Sequence, residues 1–244
     1  MKIIVTSDLT IFKELRTIGV KRGFVVEKHL ALNIKENKNI RKDTLEYIKK
    51  VNNIIFQSKN AVKYCGRLNQ EIQKNKEATM YCLGQYTKKE LKKYFHNKII
   101  HPVSKYSSEN LLKLIVKENK KNESFMIIKG VGGRDYLERN LIDKGCNVET
   151  VNTYERIAKD TFLEEKVLNV DSNNYLVVSS KLALQELIKT IMNYKKKYPL
   201  ILVLPNNRLV DGLNTKDFKD VLIICNSSSA DDYAKILERY DEEK

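Results

Sequence analysis

Tryptophan is absent from this chain of 244 residues, and cysteine and histidine are scarce, with four and three copies. Cys65, Cys82, Cys146 and Cys225 are far apart and form no C-x-x-C pair, which gives neither a zinc site nor a disulfide framework. They lie mostly in apolar runs and read as core thiols of a reducing compartment. His29, His96 and His101 show no metal-ligand spacing, so no metal is expected. No apolar run approaches the ~18 residues of a membrane span and no leader-like segment follows Met1, so the expectation is a soluble, cytoplasmic protein without a membrane partner. A G-x-x-x-x-G-K-[ST] phosphate loop is missing, as is a basic arm at either terminus.

What is present is a 42% apolar content, enough for the core of one large or two small domains, and 45 Lys and Arg against 31 Asp and Glu. The balance of +14 calls for an anionic partner: nucleic acid, a membrane surface or an acidic small molecule. Part of the excess, as in "YTKKELKKYF" and "NYKKKYP", reads as solvated helix faces. A nucleic-acid surface needs a contiguous basic face interleaved with aromatics. The 13 Tyr and 7 Phe cluster only at "KKYFHNK" and "NYKKKYP", so no nucleic-acid partner is expected. A basic α/β nucleic-acid-binding protein stays as one alternative class, and a two-lobed sensor that binds a small anion without chemistry as another.

The stretch "MIIKGVGGRDYLERNLIDKG", Met126 to Gly145, places glycines between an apolar run and a helix-like run. Gly130 and Gly132 fit a dinucleotide fingerprint, but Asp135 stands where its third glycine belongs. The remaining physics is general: unpaired N–H groups at a helix start, at the positive end of its dipole, attract an oxyanion. A plain strand-to-helix turn explains the stretch equally well.

The chain is also written twice. "IIFQSKNAV" (54–62) resembles "LVVSSKLAL" (176–184), with Ser58 over Ser180 and Lys59 over Lys181, an offset of 122 residues and half the chain. At the same offset "MYCLG" (80–84) falls on "LVLPN" (202–206), "SSENLLKLI" (107–115) on "SADDYAKIL" (229–237), and "RGFVVE" (22–27) on "KGCNVE" (144–149). Short Val/Ile/Leu runs alternating with amphipathic stretches such as "LALQELIKTIMNY" indicate parallel strands with helical crossovers, hence an α/β protein. Ligands of such sheets bind beyond the carboxyl ends of the strands. Here those ends read Ser7-Asp8, Ser58-Lys59-Asn60, Gly84 to Thr87, Gly130 to Arg134, Ser179-Ser180-Lys181, Pro205-Asn206-Asn207 and Asn226 to Ser229. Nearly all are natural N-caps. Two lobes facing one another would in addition line a cleft with helix N-termini and cations, suited to a ligand with many negative groups.

In order, "NIIFQSKNAVKYC", "MYCLGQYTKKELKKYF", "HPVSKYSSENLLKLI", "IIKGVGGRDYLERNLIDKGCNVETVNTYER" and "YLVVSSKLALQEL" resemble the successive motifs of the uroporphyrinogen-III synthase family, from about Lys2 to Leu237. The resemblance implies two similar, flavodoxin-like parallel-sheet lobes from an internal duplication, joined by a two-stranded linker. Lobe 1 would be 1–34 with 156–244, lobe 2 would be 38–152, and the linker strands about 28–38 and 148–157. It implies a lyase of haem biosynthesis that cyclises hydroxymethylbilane, inverting ring D and losing water, with no metal and no cofactor. That substrate would be the partner of a monomer, and its instability points to transient contact with the preceding pathway enzyme. Tyr154 matches the family's tyrosine and would assist departure of the hydroxyl. Ser58, Lys59, Asn60, Thr87, Gly132, Gly133, Arg134, Ser180, Lys181 and Ser229 would bind substrate. The Arg-Pro that many members carry after the first strand is Ser7-Asp8 here, and "LPNNRLVDGL" is a loose version of its motif.

Overall fold

The computed structural model describes residues 1–244 except 8, 104–105, 119–121, 161, 194, 225–228 and 244. The chain divides into two compact units, one formed by Met1–Asn33 with Ile157–Lys244 and the other by Ile34–Arg156. The first unit opens with β1 (Lys2–Val5), α1 (Leu9–Arg22) and β2 (Val25–Lys28). β3 (Leu32–Glu36) leads into the second unit, which holds α2 (Lys42–Ile48), β4 (Asn53–Phe56), α3 (Lys59–Lys63), α4 (Leu68–Lys74) and β5 (Thr79–Cys82). It continues with α5 (Gln85–Leu91), β6 (Ile99–Ile100), α6 (Ser108–Lys117), β7 (Ser124–Gly130) and α7 (Tyr136–Ile142). β8 (Asn147–Ala158) leads back, and β9 (Asn174–Val177), α8 (Lys181–Ile191), β10 (Leu200–Leu204), β11 (Asp220–Ile223) and α9 (Ala230–Glu242) complete the first unit.

The strand sequences KIIV, NIIF, NYLV and LILVL are apolar almost throughout because both faces of each sheet are covered. Side chains alternate across a strand, and each sheet therefore separates two cores. In the first unit Ile4, Leu176, Leu202 and Leu204 pack on one side with Leu187 of α8, while Ile3, Val5, Tyr175, Val177 and Val203 pack on the other with Leu15 of α1 and Leu237 of α9. In the second, Ile54, Phe56, Met80 and Ile128 meet Leu68 and Ile72 of α4, and Ile55, Tyr81 and Ile127 meet Leu111 of α6 and Leu137 of α7. Cys65, Cys82 and Cys146 are free, buried thiols of the second unit; Cys225 lies outside the described residues.

The first sheet runs β11-β10-β9-β1-β2 and the second β3-β8-β7-β4-β5-β6. Every pairing in the first is parallel, as are those linking β8, β7, β4, β5 and β6 in the second. β3 is added to the edge of β8. The bonds Asn37 N–H to Thr153 C=O and Lys159 N–H to Ala31 C=O, both 2.9 Å, run in opposite order along the two segments, which makes that pair antiparallel. At the offset of 122, β4 falls on β9, β5 on β10, β6 on β11, β1 on β7 and β2 on the start of β8, and the spatial order is the same in both sheets. The connectivity is not. Counted along the chain, the first unit reads 2-1-3-4-5, the flavodoxin order, whereas the second reads 3-2-1-4-5, a circular permutation of it. The strand order reverses between β1 and β9 in one unit and between β7 and β4 in the other, where doubly wound sheets bind ligands.

Candidate functional site

At the switch point of the second unit, the chain leaves β4 through Gln57 and Ser58. Ser58 caps α3, its Oγ accepting the Ala61 N–H at 3.1 Å. That oxygen also lies 3.0 Å from the hydroxyl of Tyr154 on β8, a residue only 1% exposed. Arg156, two positions further on the same face of β8, donates from Nη2 to the Tyr154 hydroxyl at 2.8 Å and sets its guanidinium 5.1 Å from the ring centre. The ring fits because β7 ends in glycine. A β-bulge between Lys129 and Gly130 aligns Gly130 with Tyr154, and a side chain at 130 would bring its Cβ within 2.5 Å of Tyr154 Cζ.

Gly132 takes the left-handed conformation at φ +70°, which admits glycine freely, and a Cβ on Gly133 would meet the Gly130 carbonyl at 2.9 Å. The loop is thus a tight turn in its own right. Val131 N–H bonds Tyr154 C=O at 2.8 Å and Gly133 N–H bonds Gly130 C=O at 2.9 Å, so these two amides serve the backbone. The helix behind the loop starts only at Tyr136, and Gly132–Arg134 precede its first turn. Gln57 Nε2 closes the turn onto the Arg134 carbonyl at 3.1 Å. The Arg134 guanidinium reaches Glu109 at 2.8 Å and stacks near Tyr136. Burial raises the Glu109 carboxyl, but its own backbone amide, Arg134 and Ser107 outweigh that and hold it at about 2.

Past β5, Gly84 leads into α5 and Thr87 is buried in its first turn. Lys88 Nζ lies 3.1 Å from His101 Nε2, and His101 Nδ1 lies 2.8 Å from the Pro102 carbonyl. An ammonium can only donate and a carbonyl can only accept, so these partners call for Nε2 as the acceptor and Nδ1–H as the donor. Lys59 and Asn60 occupy the first two positions of α3 beside Ser58. The second unit therefore brings Ser58, Lys59, Asn60, Thr87, Gly132, Gly133, Arg134 and Tyr154 to the carboxyl ends of the adjacent strands β8, β7, β4 and β5.

In the first unit the switch point is closed by Ser7, whose Oγ lies 2.8 Å from Ser179 Oγ and accepts the Ser179 N–H at 2.6 Å. Ser180 caps α8 by accepting the Ala183 N–H at 3.3 Å, and Lys181 follows it. Ser229 stands at the start of α9. Asn206 caps a single 3-10 turn through the Arg208 N–H. Asp8 and Asn226 lie outside the described residues. Sequence reasoning missed Arg156, Gln57 and the structural demand on Gly130. Arg156 was within reach, since i and i+2 share a face in a strand, whereas Gln57 and Gly130 act on partners far away in the chain. Among the described residues no three His, Cys, Asp or Glu side chains converge as a metal site requires, and no helix is long and apolar enough to cross a membrane.

Two permuted copies of one parallel sheet, each gathering hydroxyl and cationic side chains at its switch point, define a duplicated doubly wound α/β protein. The uroporphyrinogen-III synthase HemD family matches residues 18–236, and the chain belongs to that family. Over 86 residues, 35% of this chain and 43% of the relative, it is 30% identical to a uroporphyrinogen-III synthase of Proteus mirabilis; the match thus spans less than half of that protein. Two solved structures are similar over their whole length and the whole of this chain: a uroporphyrinogen-III synthetase of Helicobacter pylori (16% identity, TM-score 0.62) and a mutant uroporphyrinogen III synthase of Thermus thermophilus (11%, 0.57). At such identities the likeness is one of fold. Neither alternative, nucleic-acid binder or non-catalytic sensor, is favoured by these relationships.

Proposed function

We propose that this chain is a uroporphyrinogen-III synthase that takes hydroxymethylbilane, expels its terminal hydroxyl as water, and closes the macrocycle with ring D inverted. The observation that carries the reading is the Arg156–Tyr154–Ser58 constellation, a hydroxyl pair with a cation behind it, at the switch point of the second unit. Four acetates and four propionates on the substrate suit a chain at +14 whose strand ends carry Lys59, Arg134 and Lys181 beside the caps Ser58, Ser180 and Ser229. Thr87, Asn60, Gly132 and Gly133 complete the proposed contacts. Loss of the hydroxyl leaves an azafulvene, ring D attacks through its substituted carbon to give a spirocyclic intermediate, and fragmentation with reclosure inverts the ring. Positioning carries much of the rate, because the substituted carbon must be favoured over the free one. No metal or cofactor enters this chemistry. The chain acts as a monomer in the cytoplasm, receiving its unstable substrate by transient contact with the preceding enzyme.

Freshly prepared hydroxymethylbilane supplies the test. Spontaneous closure yields the unrotated type I ring, so the folded protein is expected to shift the product to type III without added metal. The same isomer ratio with protein and with buffer would refute the assignment.

A further inference from the structure

Among the described residues the Tyr154 oxygen has two hydrogen-bond partners, Arg156 Nη2 at 2.8 Å and Ser58 Oγ at 3.0 Å. A guanidinium has no acceptor, so Arg156 donates and fills one lone pair of the phenol. Were Ser58 to donate as well, the phenolic hydrogen would be left without an acceptor on a side chain only 1% exposed, the arrangement that buried polar groups avoid. Tyr154 therefore donates to Ser58. Ser58 Oγ already accepts the Ala61 N–H at 3.1 Å, so both its lone pairs are occupied and its own O–H has no acceptor among the described residues. Arg156 has no carboxylate within ion-pairing distance among the described residues, in contrast to Arg134 with Glu109. Its charge polarises the chain of hydroxyls in one direction.

We infer that the donor offered to the substrate is the Ser58 hydroxyl, with Tyr154 acting through it as a proton relay and Arg156 as the polarising end. This rests on the synthase reading above. The carbon–oxygen bond of the hydroxymethyl group breaks as the pyrrole nitrogen pair moves into an exocyclic double bond. The oxygen leaves as water with the Ser58 proton, and Ser58 takes the Tyr154 proton. The resulting phenolate is held by Arg156, and the proton released when the macrocycle closes restores it. Ser58 is the catalytic residue here; Tyr154 and Arg156 are positioning residues.

Single-turnover cyclisation of hydroxymethylbilane, with the type III isomer as readout, tests the relay in the full chain. Ser58→Ala and Tyr154→Phe are each expected to lose at least about tenfold in rate, and the double variant no more than either alone, since general acid help acts as one unit. Ser58→Thr keeps both cap and donor and is expected within about threefold of wild type. Rates in mixtures of light and heavy water should curve with deuterium fraction for wild type and Ser58→Thr, where two protons move, and run straight for Tyr154→Phe. A fast Ser58→Ala beside a slow Tyr154→Phe would make the phenol itself the donor and overturn the relay, as would additive losses or a straight wild-type plot. If Ser58→Ala does not fold, the isotope plots of wild type and Ser58→Thr decide alone. A wild type that leaves only type I product refutes the synthase reading and the relay with it, whereas a type III producer with a straight plot refutes the relay alone.

Discussion

Replacing Gly130 by alanine probes how firmly Tyr154 is held. The new Cβ would lie 2.5 Å from Tyr154 Cζ, 2.7 Å from Cε2 and 2.9 Å from Cε1, all closer than carbon atoms approach without movement. The ring has little freedom to step aside. Its hydroxyl is bonded by Arg156 and Ser58, Tyr64 packs 6.1 Å from its centre, and its carbonyl accepts the Val131 N–H next to the substitution. Overpacking of this kind costs about 1–3 kcal/mol, and three contacts on one locked ring put the cost at the upper end. Against it stands a gain of roughly 0.4–1 kcal/mol from the stiffer unfolded chain, leaving a net loss of about 2 kcal/mol. Gly132→Ala makes the comparison, because its Cβ meets nothing within 4 Å and its cost is the left-handed backbone alone, about 1 kcal/mol. Urea unfolding at constant slope reads both. Tyr154→Val removes the ring, and in that background Gly130→Ala should cost less than about 1 kcal/mol. A Gly130→Ala chain as stable as wild type, or one losing the same amount with and without the tyrosine ring, would refute the steric account.

Ser180→Ala should lower stability by about 1 kcal/mol, and Ser180→Gly by only a few tenths, because the hydroxyl caps the Ala183 N–H at the start of α8; equal losses in urea unfolding would mean that the cap is idle. The Glu109 carboxyl is held down at about 2 in the folded chain against an ordinary 4.5 in the unfolded one, so its contribution is complete above pH 4.5 and is lost as the pH falls towards 2. With the carboxylate a third exposed, solvent screening reduces that contribution to about 1 kcal/mol. The stability gap between wild type and Glu109→Gln is therefore expected at pH 7 and should close near pH 2; a gap independent of pH would place the effect in packing.

Much of the site was legible before the fold was known, and what was legible was local. Ser58 and Ser180 cap their helices as their places ahead of "KNAV" and "KLAL" indicate, each accepting from the amide three residues on. The glycine-rich stretch marked a strand end, but its reading as an anion cradle did not anticipate the loop's own use of its amides or the ion pair of Arg134 with Glu109. Arg134 and Glu109 are 25 residues apart and on separate elements, so no periodicity joins them.

By itself the amino-acid order determined the parallel α/β class, the position of each buried strand and the repeat at 122 residues, because burial on both faces writes unbroken apolar runs and duplication preserves their spacing. Only the tertiary structure decided that the two copies are wired as 2-1-3-4-5 and 3-2-1-4-5, although the register of the repeat alone would divide the chain at its midpoint. It also decided that Ser58 and Tyr154, 96 residues apart, share a hydrogen bond. Both follow from which strands lie side by side, and that choice depends on pairing and packing between distant segments rather than on the preferences of any one of them.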